Sequence, residues 1–393
     1  MKRFVLFGKV LSKVEIMKVF LFLIGLLSVF SVSGQTEDIN KKVIEIMRKY
    51  DAVGSSTVVV KDNNIVYSNS FGYNPDYNDS SLRTPIPHNG IYVIASISKT
   101  FISTAIMQLV EKKKINLEDD VNNILNFSVR NPQYPDIPIT VRMLLNHRSS
   151  INDKHYGWTL SQINPHKGNQ WKECYNDYQP GTKFSYCNLN YNLLGAIIEL
   201  VSGQRFFDYI DDNIIAPLGL NASYNLTKID SALLVRAMRF DKTKRIFKAD
   251  ASIYNYQYYI NKLKNYKLGQ TTACFSPSGG MKISAEDLAK YMIMHMNYGK
   301  YGKKRILKKH SEVEMWKPQD CDTTYGLGFF QNRDLFYGEN IIGVRGNAHG
   351  VHSAMYFCPE RKFGVVVICN GCTNDRKMKN SIARELYKFF IKK

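Results

Sequence analysis

A serine and a lysine three residues apart have the types and spacing that covalent chemistry needs. Ser96 and Lys99 lie in a segment whose apolar residues repeat at helical spacing, so both side chains fall on one face of a helical turn. A serine hydroxyl is a poor nucleophile until a base takes its proton, and a desolvated lysine beside it can act as that base. The free N–H groups at a helix start favour a developing oxyanion. The pair predicts acyl transfer to Ser96; the alternative is a capped helix with a solvated lysine.

A second polar pair lies just before another predicted helix. Tyr186 and Asn188 follow the turn at Pro180–Gly181, and the segment after them has the apolar face of a helix. Side chains on such a loop can point into a cleft. A phenol beside an ammonium ionises more readily and can act as a base, and an amide can hold a substrate carbonyl. The same Tyr-x-Asn pattern at 67–69 lies within a predicted hairpin, and we interpret it as structural.

The elements that must position these residues follow a simple order along the chain. Strands are predicted near both ends, and helices with long polar loops lie between them. The predicted elements are a helix at 37–53, a hairpin turning at 62–64, the helix at Ser96, helices near 117–125 and 284–298, strands within 325–369, and a closing helix at 375–393. This order favours one antiparallel sheet built from both ends of the chain, with the site in the cleft beside it.

The first 34 residues predict a secretory signal peptide. Lys18 precedes an apolar run from Val19 to Val32, and the small residues Ser33 and Gly34 follow it. We therefore expect an exported protein, periplasmic or secreted, in which residues 35–393 form one domain. Its sheet region is expected at about 35–95 and 285–393, with a mostly helical insert at about 96–284. The alternative is an uncleaved anchor, which would be the protein's one link to a membrane.

Charge and cysteine usage exclude some function classes. The net charge of +19 is spread along the chain, and no nucleic-acid-binding module is recognisable. The seven cysteines are an odd number, so at least one is free or pairs between molecules. Cys369 and Cys372 have C-x-x-C spacing without a second pair, and His349 and His352 are three apart near a strand. A metal hydrolase is therefore a weak alternative, and we expect neither a metal nor a cofactor.

Five segments, in this order, resemble motifs of the serine β-lactamase-related hydrolases. They are IASISKTFISTAIMQLVEKKKINLEDDV, ITVRMLLNHRSSI, PGTKFSYCNLNYNLLG, SGGMKISAEDLAKYM and GNAHGVHSAMYFCPERKFGVVVICNG. The family includes AmpC-type β-lactamases, D,D-carboxypeptidases, D-aminopeptidases and esterases. The second segment keeps His147 and Ser149, with Ser150 where the family usually has glycine. The resemblance spans about Thr57 to Lys393 and implies an α/β, β-lactamase/transpeptidase-like fold, an antiparallel sheet flanked by helices with an inserted, mostly helical region.

The resemblance also implies roles for the residues at the matching positions. Ser96 would be the nucleophile, with Lys99 and Tyr186 as base and proton relay. Asn188 would bind the acylamide of the substrate. The oxyanion would be held by the backbone N–H of Ser96 and that of Asn347, the residue after the family's third motif. The substrate would be a peptidoglycan-like peptide or a small acyl compound, with no nucleic-acid partner.

The third motif departs from the family pattern, which is Lys-Thr-Gly or His-x-Gly. The matching residues are Val344, Arg345 and Gly346, so the glycine is kept and a valine stands at the basic position. Arg345 and His349 are the candidates to supply the missing charge. We expect an exported serine hydrolase acting on a D-amino-acid peptide, ester or β-lactam carbonyl. The alternative is a catalytically degenerate cell-wall peptide or penicillin-binding protein on the same fold.

Overall fold

A computed structural model describes residues 36–75, 83–320 and 323–392, so the predicted signal peptide lies outside the described residues. The strands are β1 (Gly54–Lys61), β2 (Asn64–Pro75), β3 (Arg83–Pro85), β4 (Ile91–Val93), β5 (Ala222–Ser223), β6 (Met238–Asp241), β7 (Ile246–Ala249), β8 (Lys282–Ser284), β9 (Lys300–Tyr301), β10 (Lys304–Arg305), β11 (Phe330–Asn332), β12 (Ile341–Ala348), β13 (Val351–Cys358) and β14 (Phe363–Cys369). The helices are α1 (36–49), α2 (Ser98–Glu111), α3 (Val141–Leu145), α4 (Asn188–Ser202), α5 (Phe206–Ile210), α6 (Ala216–Leu218), α7 (Tyr256–Lys264), α8 (Ala285–Met296), α9 (Lys309–Trp316) and α10 (Asp375–Phe390).

Both ends of the described chain contribute to one antiparallel sheet. Its seven strands have the order β11-β12-β13-β14-β1-β2-β3, so the N-terminal hairpin pairs with the C-terminal strands through β1 and β14. The β1–β2 hairpin turns at Asp62 and Asn63, which adopt the positive φ that Asp and Asn tolerate. Smaller sheets are formed by β4-β8-β5, β6-β7 and β9-β10.

Apolar residues cover both faces of the large sheet. In β1, Val58 and Val60 join one core cluster, and Val59, which points to the opposite face, joins a second cluster. The first cluster contains α2, α4 and α8, and the second contains α1 and α10. Burial on both sides explains why the central strand β14 is a nearly continuous apolar run instead of an alternating one.

The predicted helix near 117–125 is wrong, because only the 3-10 turn Val121–Asn123 forms there. Two neighbouring carboxylates bond to backbone N–H groups: Asp119 accepts from Asn116 and Asp120 accepts from Asn122. Such local bonds compete with the helical ladder. Part of the strand prediction within 325–369 is also wrong. Residues 333–340 form a turn in which Asn332 accepts from the Leu335 N–H, and β12 begins only at Ile341.

Helix α2 fixes the position of the residues that precede it. Its residues from Ser98 to Leu109 are all buried, so it runs through the first core cluster rather than along a surface. Helix α8 begins as expected, with the Ser284 hydroxyl accepting from the Asp287 N–H. Within the described part of the chain, every helix is too short or too polar to cross a bilayer.

Candidate active site

Ser96 lies in a strained turn under the sheet. It occupies the 3-10 turn Ala95–Ile97 between β4 and α2, and Ala95 has a φ of 49°, an unfavourable conformation for a residue with a Cβ. Strand β12 packs directly on this turn. A Cβ on Gly346 would lie 2.3 Å from the Ile94 carbonyl oxygen and 3.0 Å from the Ser96 nitrogen. The retained glycine is therefore what allows β12 to approach Ser96.

Lys99 is held by three oxygen atoms. Its side chain is 1% exposed, and Nζ donates to Ser96 Oγ at 3.1 Å, to Asn188 Oδ1 at 2.8 Å and to the Ser278 carbonyl at 2.7 Å. An ammonium has three hydrogens, so these contacts use all of them. Nζ is thereby fixed within hydrogen-bond reach of the hydroxyl that it would deprotonate.

Tyr186 meets Lys99 with the face of its ring. The Nζ lies 5.0 Å from the centroid of the Tyr186 ring, which is 42% exposed at the cleft. The Tyr186 ring also packs against the His147 imidazole, and the centroids of the two rings are 4.3 Å apart. Proton transfer between Tyr186 and Lys99 therefore needs a small side-chain rotation or a water between them.

Asp153 orients Asn188, and the sequence pattern gave no indication of this residue. Its carboxylate accepts from the Asn188 N–H at 2.9 Å, from the Leu189 N–H at 3.0 Å and from Asn188 Nδ2 at 2.8 Å. The first two bonds satisfy free N–H groups at the start of α4. The third turns the amide so that its oxygen faces Lys99. The second Nδ2 hydrogen of Asn188 takes no part in these bonds.

His147 supports the loop that carries Tyr186. The imidazole is buried, its Nδ1 accepts from the Cys187 N–H at 3.1 Å, and it packs against Tyr191 and Tyr325. Burial, with the positive charge of Lys99 as a smaller cause, holds the pKa of His147 well below its usual value. The imidazole is therefore neutral at physiological pH.

A cleft of about 710 Å³ opens above these residues. Its lining includes Ser96, Phe184, Tyr186, Tyr325, Phe330, Gln331, Val344, Arg345 and Asn347. Arg345 lies at the edge of this lining, because its guanidinium is 4.8 Å from the centroid of the Phe330 ring, which packs against the second core cluster. The cleft wall thus combines four aromatic side chains with polar side chains and one cation.

The structure does not bring His349 to this cleft. Its Nδ1 lies 2.9 Å from the Asp250 carboxylate, which also binds Arg239. His352 instead contacts the Asn347 side-chain oxygen at 3.2 Å, so the two histidines have different neighbours. In the described ranges, no three or more His, Cys, Asp or Glu side chains are grouped as a metal site would require, and the six described cysteines are free.

Taken together, the residues around Ser96 can support acyl transfer. A hydroxyl, an amine and a phenol lie at the floor of one cleft, and a backbone strand approaches the hydroxyl closely enough to share an oxyanion with it. Sequence reasoning missed Asp153 and Ser278, whose loops are distant from Ser96 in sequence.

Comparisons with known proteins agree with this geometry. The family model described as Beta-lactamase matches residues 39–388. Protein flp of Staphylococcus aureus (strain N315) is 25% identical over 340 residues, which are 85% of this chain and 63% of the relative. The chain thus spans less than two thirds of the length of the first curated relatives it matches.

Solved structures share the architecture. The octameric penicillin-binding protein homologue from Pyrococcus abyssi has a TM-score of 0.70 and 26% identity, with 91% of this chain and 78% of that chain covered. The D-amino acid amidase from Ochrobactrum anthropi SV3 has a TM-score of 0.66 and 18% identity, with 89% and 99% covered. These matches confirm both the predicted family resemblance and the β-lactamase/transpeptidase-like fold.

Proposed function

Because this chain belongs to the beta-lactamase family, we propose that it is a serine hydrolase that forms an acyl-serine intermediate at Ser96. The observation that carries the proposal is the placement of the Lys99 amine 3.1 Å from the Ser96 hydroxyl at the floor of a cleft. The substrate would be a D-amino-acid peptide, ester or β-lactam. The protein would act outside the cytoplasm. This part of the proposal rests only on the signal-peptide pattern of residues 1–34.

The reaction would begin with Lys99 in its neutral form, after its proton has passed to water or to Tyr186 in its phenolate form. The Ser96 proton moves to Lys99 Nζ while Oγ adds to the substrate carbonyl. The oxyanion accepts hydrogen bonds from the backbone N–H groups of Ser96 and Asn347. Collapse of this intermediate transfers the proton to the leaving group and leaves the acyl-enzyme. A water molecule then gives a proton to Lys99 or Tyr186 and adds to the acyl carbonyl. The bond from Ser96 Oγ to the acyl carbon breaks, Oγ takes that proton back, and the acid leaves.

The cleft lining supports a substrate with an apolar acyl part and a carboxylate. Aromatic rings, including those of Phe184 and Tyr325, offer apolar contact surface beside Ser96. Arg345 offers a fork of donors that fits a carboxylate, from the position after Val344. An amino-acid derivative with a free carboxyl beyond the scissile bond carries both groups.

Val344 favours a second candidate, a binding protein that is acylated without turnover. Valine neither donates a hydrogen bond nor carries charge, and its side chain is packed into the core beside the cleft. A β-lactam acyl-enzyme would then lose one of the contacts that usually hold and activate it. In this case penicillin would acylate Ser96, and hydrolysis of the acyl-enzyme would be slow.

Labelling of Ser96 tests the proposal. The purified mature protein is incubated with a fluorophosphonate probe, a labelled penicillin and a p-nitrophenyl ester, with Ser96→Ala as the control. We expect a fluorophosphonate adduct on Ser96 by peptide mass spectrometry, and ester hydrolysis that the variant lacks. A folded wild-type protein without an adduct on Ser96 would refute the proposal. A penicillin adduct that persists for hours with no ester turnover would favour the binding protein.

A further inference from the structure

A buried lysine reaches the strand opposite Ser96 from behind. Lys379 on α10 is 1% exposed, and its Nζ donates to the Gly346 carbonyl at 3.3 Å, to Asn347 Oδ1 at 2.8 Å and to the Ser353 carbonyl at 3.3 Å. The Asp375 carboxylate, one helical turn earlier, lies 3.5 Å away. An ammonium is tolerated in such a place when its hydrogens and its charge are satisfied. Lys379 is thus tied to one short segment of β12 and β13.

The Gly346 carbonyl and the Asn347 N–H belong to the same peptide group. The two bonds of a trans peptide point in opposite directions, and no described peptide bond is cis. With Lys379 bound to the carbonyl, the Asn347 N–H therefore points away from Lys379. Asn347 lines the cleft together with Ser96, and the neighbouring Gly346 packs on the Ser96 turn.

We propose that Lys379 is a positioning residue for acyl transfer, which holds and polarises the Gly346–Asn347 peptide so that its N–H stabilises the oxyanion. The inference rests on the proposed function, because it needs an acyl substrate at Ser96. A cation on the carbonyl oxygen withdraws electron density from the peptide and makes its N–H a better donor. The effect is largest when negative charge develops next to the N–H, which occurs in the transition state.

The size of the effect follows from what is lost when Lys379 is replaced. Removing a whole oxyanion donor lowers kcat by about 100- to 1000-fold. Removing only the polarising cation leaves the N–H in place, so we expect a fall of about 10- to 100-fold. Because the contact strengthens in the transition state, KM should change little.

The charges around Lys379 give the effect a pH dependence. Burial lowers the pKa of Lys379 to about 8, the Asp375 carboxylate opposes that shift, and Arg345 adds to it. Two further titratable groups face this region, the Cys372 thiol and the His352 imidazole. Above pH 8 the amine loses its proton and stops polarising the peptide. Lys379 should therefore contribute to a decline of kcat on the alkaline side.

Variants of two equally buried lysines test the kinetic part. Lys379→Met removes the charge, and Lys379→Arg keeps it. Lys282→Met is the matched control, because Lys282 is also 1% exposed but donates to the Tyr224 carbonyl and the Tyr259 hydroxyl, away from β12. For p-nitrophenyl ester hydrolysis, Lys379→Met should lose kcat about 10- to 100-fold and change its alkaline limb. Lys379→Arg should recover part of the loss, and Lys282→Met should stay within about threefold of wild type.

Nuclear magnetic resonance tests the coupling without turnover. The sequence has two Gly–Asn pairs, Gly168–Asn169 and Gly346–Asn347, so ¹³C-carbonyl glycine with ¹⁵N-asparagine selects two backbone amides. Asn169→Asp assigns them. In a pH titration, the chemical shift of the Asn347 amide should show an inflection near the pKa of Lys379. This inflection should be absent in Lys379→Met. The Asn169 amide is the internal control and should show no such inflection.

The outcomes separate this inference from the proposed function. Wild-type kcat and an unchanged pH profile in a folded Lys379→Met protein would overturn the inference while the hydrolase proposal stands. If Lys379→Met fails to fold, a wild-type Asn347 amide without an inflection overturns it. If the wild type turns over no ester but the Asn347 amide titrates as expected, the hydrolase proposal fails and the coupling of Lys379 to this peptide stands.

Discussion

Gly346→Ala tests whether the close approach of β12 to Ser96 controls the reaction. An added Cβ would lie 2.3 Å from the Ile94 carbonyl oxygen and 2.4 Å from Ser353 Oγ, whereas Cβ atoms in proteins essentially never approach another heavy atom closer than 3.0 Å. The Ser353 hydroxyl can rotate, although it would give up its 2.7 Å hydrogen bond to the same Ile94 carbonyl. The Ile94 carbonyl is backbone, so β12 and the Ser96 turn must separate by about 0.7 Å or more.

Such a separation widens the gap between the two N–H groups that would share the oxyanion. A displacement of about 1 Å in a catalytic group can cost about 100-fold in rate, and losing one oxyanion donor costs 100- to 1000-fold. We therefore expect Gly346→Ala to lower kcat for a p-nitrophenyl ester by roughly 100-fold, with a smaller change in KM. The rate of fluorophosphonate labelling at Ser96 should fall in parallel.

Gly343→Ala is the matched control on the same strand. Its added Cβ would lie 2.6 Å from the Tyr356 ring, which belongs to the second core cluster on the face of the sheet away from Ser96. Crowding there should lower the free energy of unfolding by about 1–3 kcal/mol while kcat stays near the wild-type value. Gly346→Ala with wild-type kcat, or Gly343→Ala with an equal loss of kcat, would refute the reasoning that this approach governs catalysis.

Three other substitutions probe separate parts of the molecule. Asp153→Ala removes the acceptor that orients Asn188 and caps α4, so thermal melting should show a loss of about 1–2 kcal/mol and kcat should fall. Arg345→Ala should raise KM for a carboxylate-bearing ester about tenfold and leave KM for its neutral analogue unchanged in the same assay. Burial lowers the pKa of Lys282 to about 7, below the usual 10.5, so the unfolded chain binds more protons between these values and stability rises with pH there. Lys282→Met should therefore increase the free energy of urea unfolding most at pH 6 and least at pH 10.

The sequence predicted the parts of the site that depend on local spacing. Ser96 and Lys99 are three residues apart where a 3-10 turn runs into α2, and Tyr186 and Asn188 lie together at the start of α4, so each pair could be recognised from its own segment. The bond between the pairs, from Lys99 to Asn188, joins residues that are 89 positions apart. From the sequence, only the resemblance to the motif order of a family indicated that these two pairs belong to one site.

The residues that sequence reasoning missed act over long separations. Asp153 reaches Asn188 from a loop 35 positions earlier, and Lys379 reaches Gly346 from a helix 33 positions later. The helical spacing at 375–393 predicted the helix that carries Lys379 but not this contact, and Asp153 lies two residues beyond the motif segment ITVRMLLNHRSSI. The wrong helix near 117–125 has a different cause, because side chains such as that of Asp120 bonded to backbone N–H groups and prevented a helix that the apolar spacing favoured.

Three lysines show why burial does not by itself identify a base. Lys99, Lys282 and Lys379 are each 1% exposed, so all three have lost nearly the same contact with water. What differs is the partner: Lys282 meets a carbonyl and a phenol in the core, and Lys379 meets a carboxylate and the back of a strand. Only Lys99 among these three contacts a hydroxyl that lines the cleft. The assignment of the base therefore depends on that contact, and Lys282, which is equally buried and lies away from the cleft, serves as its control.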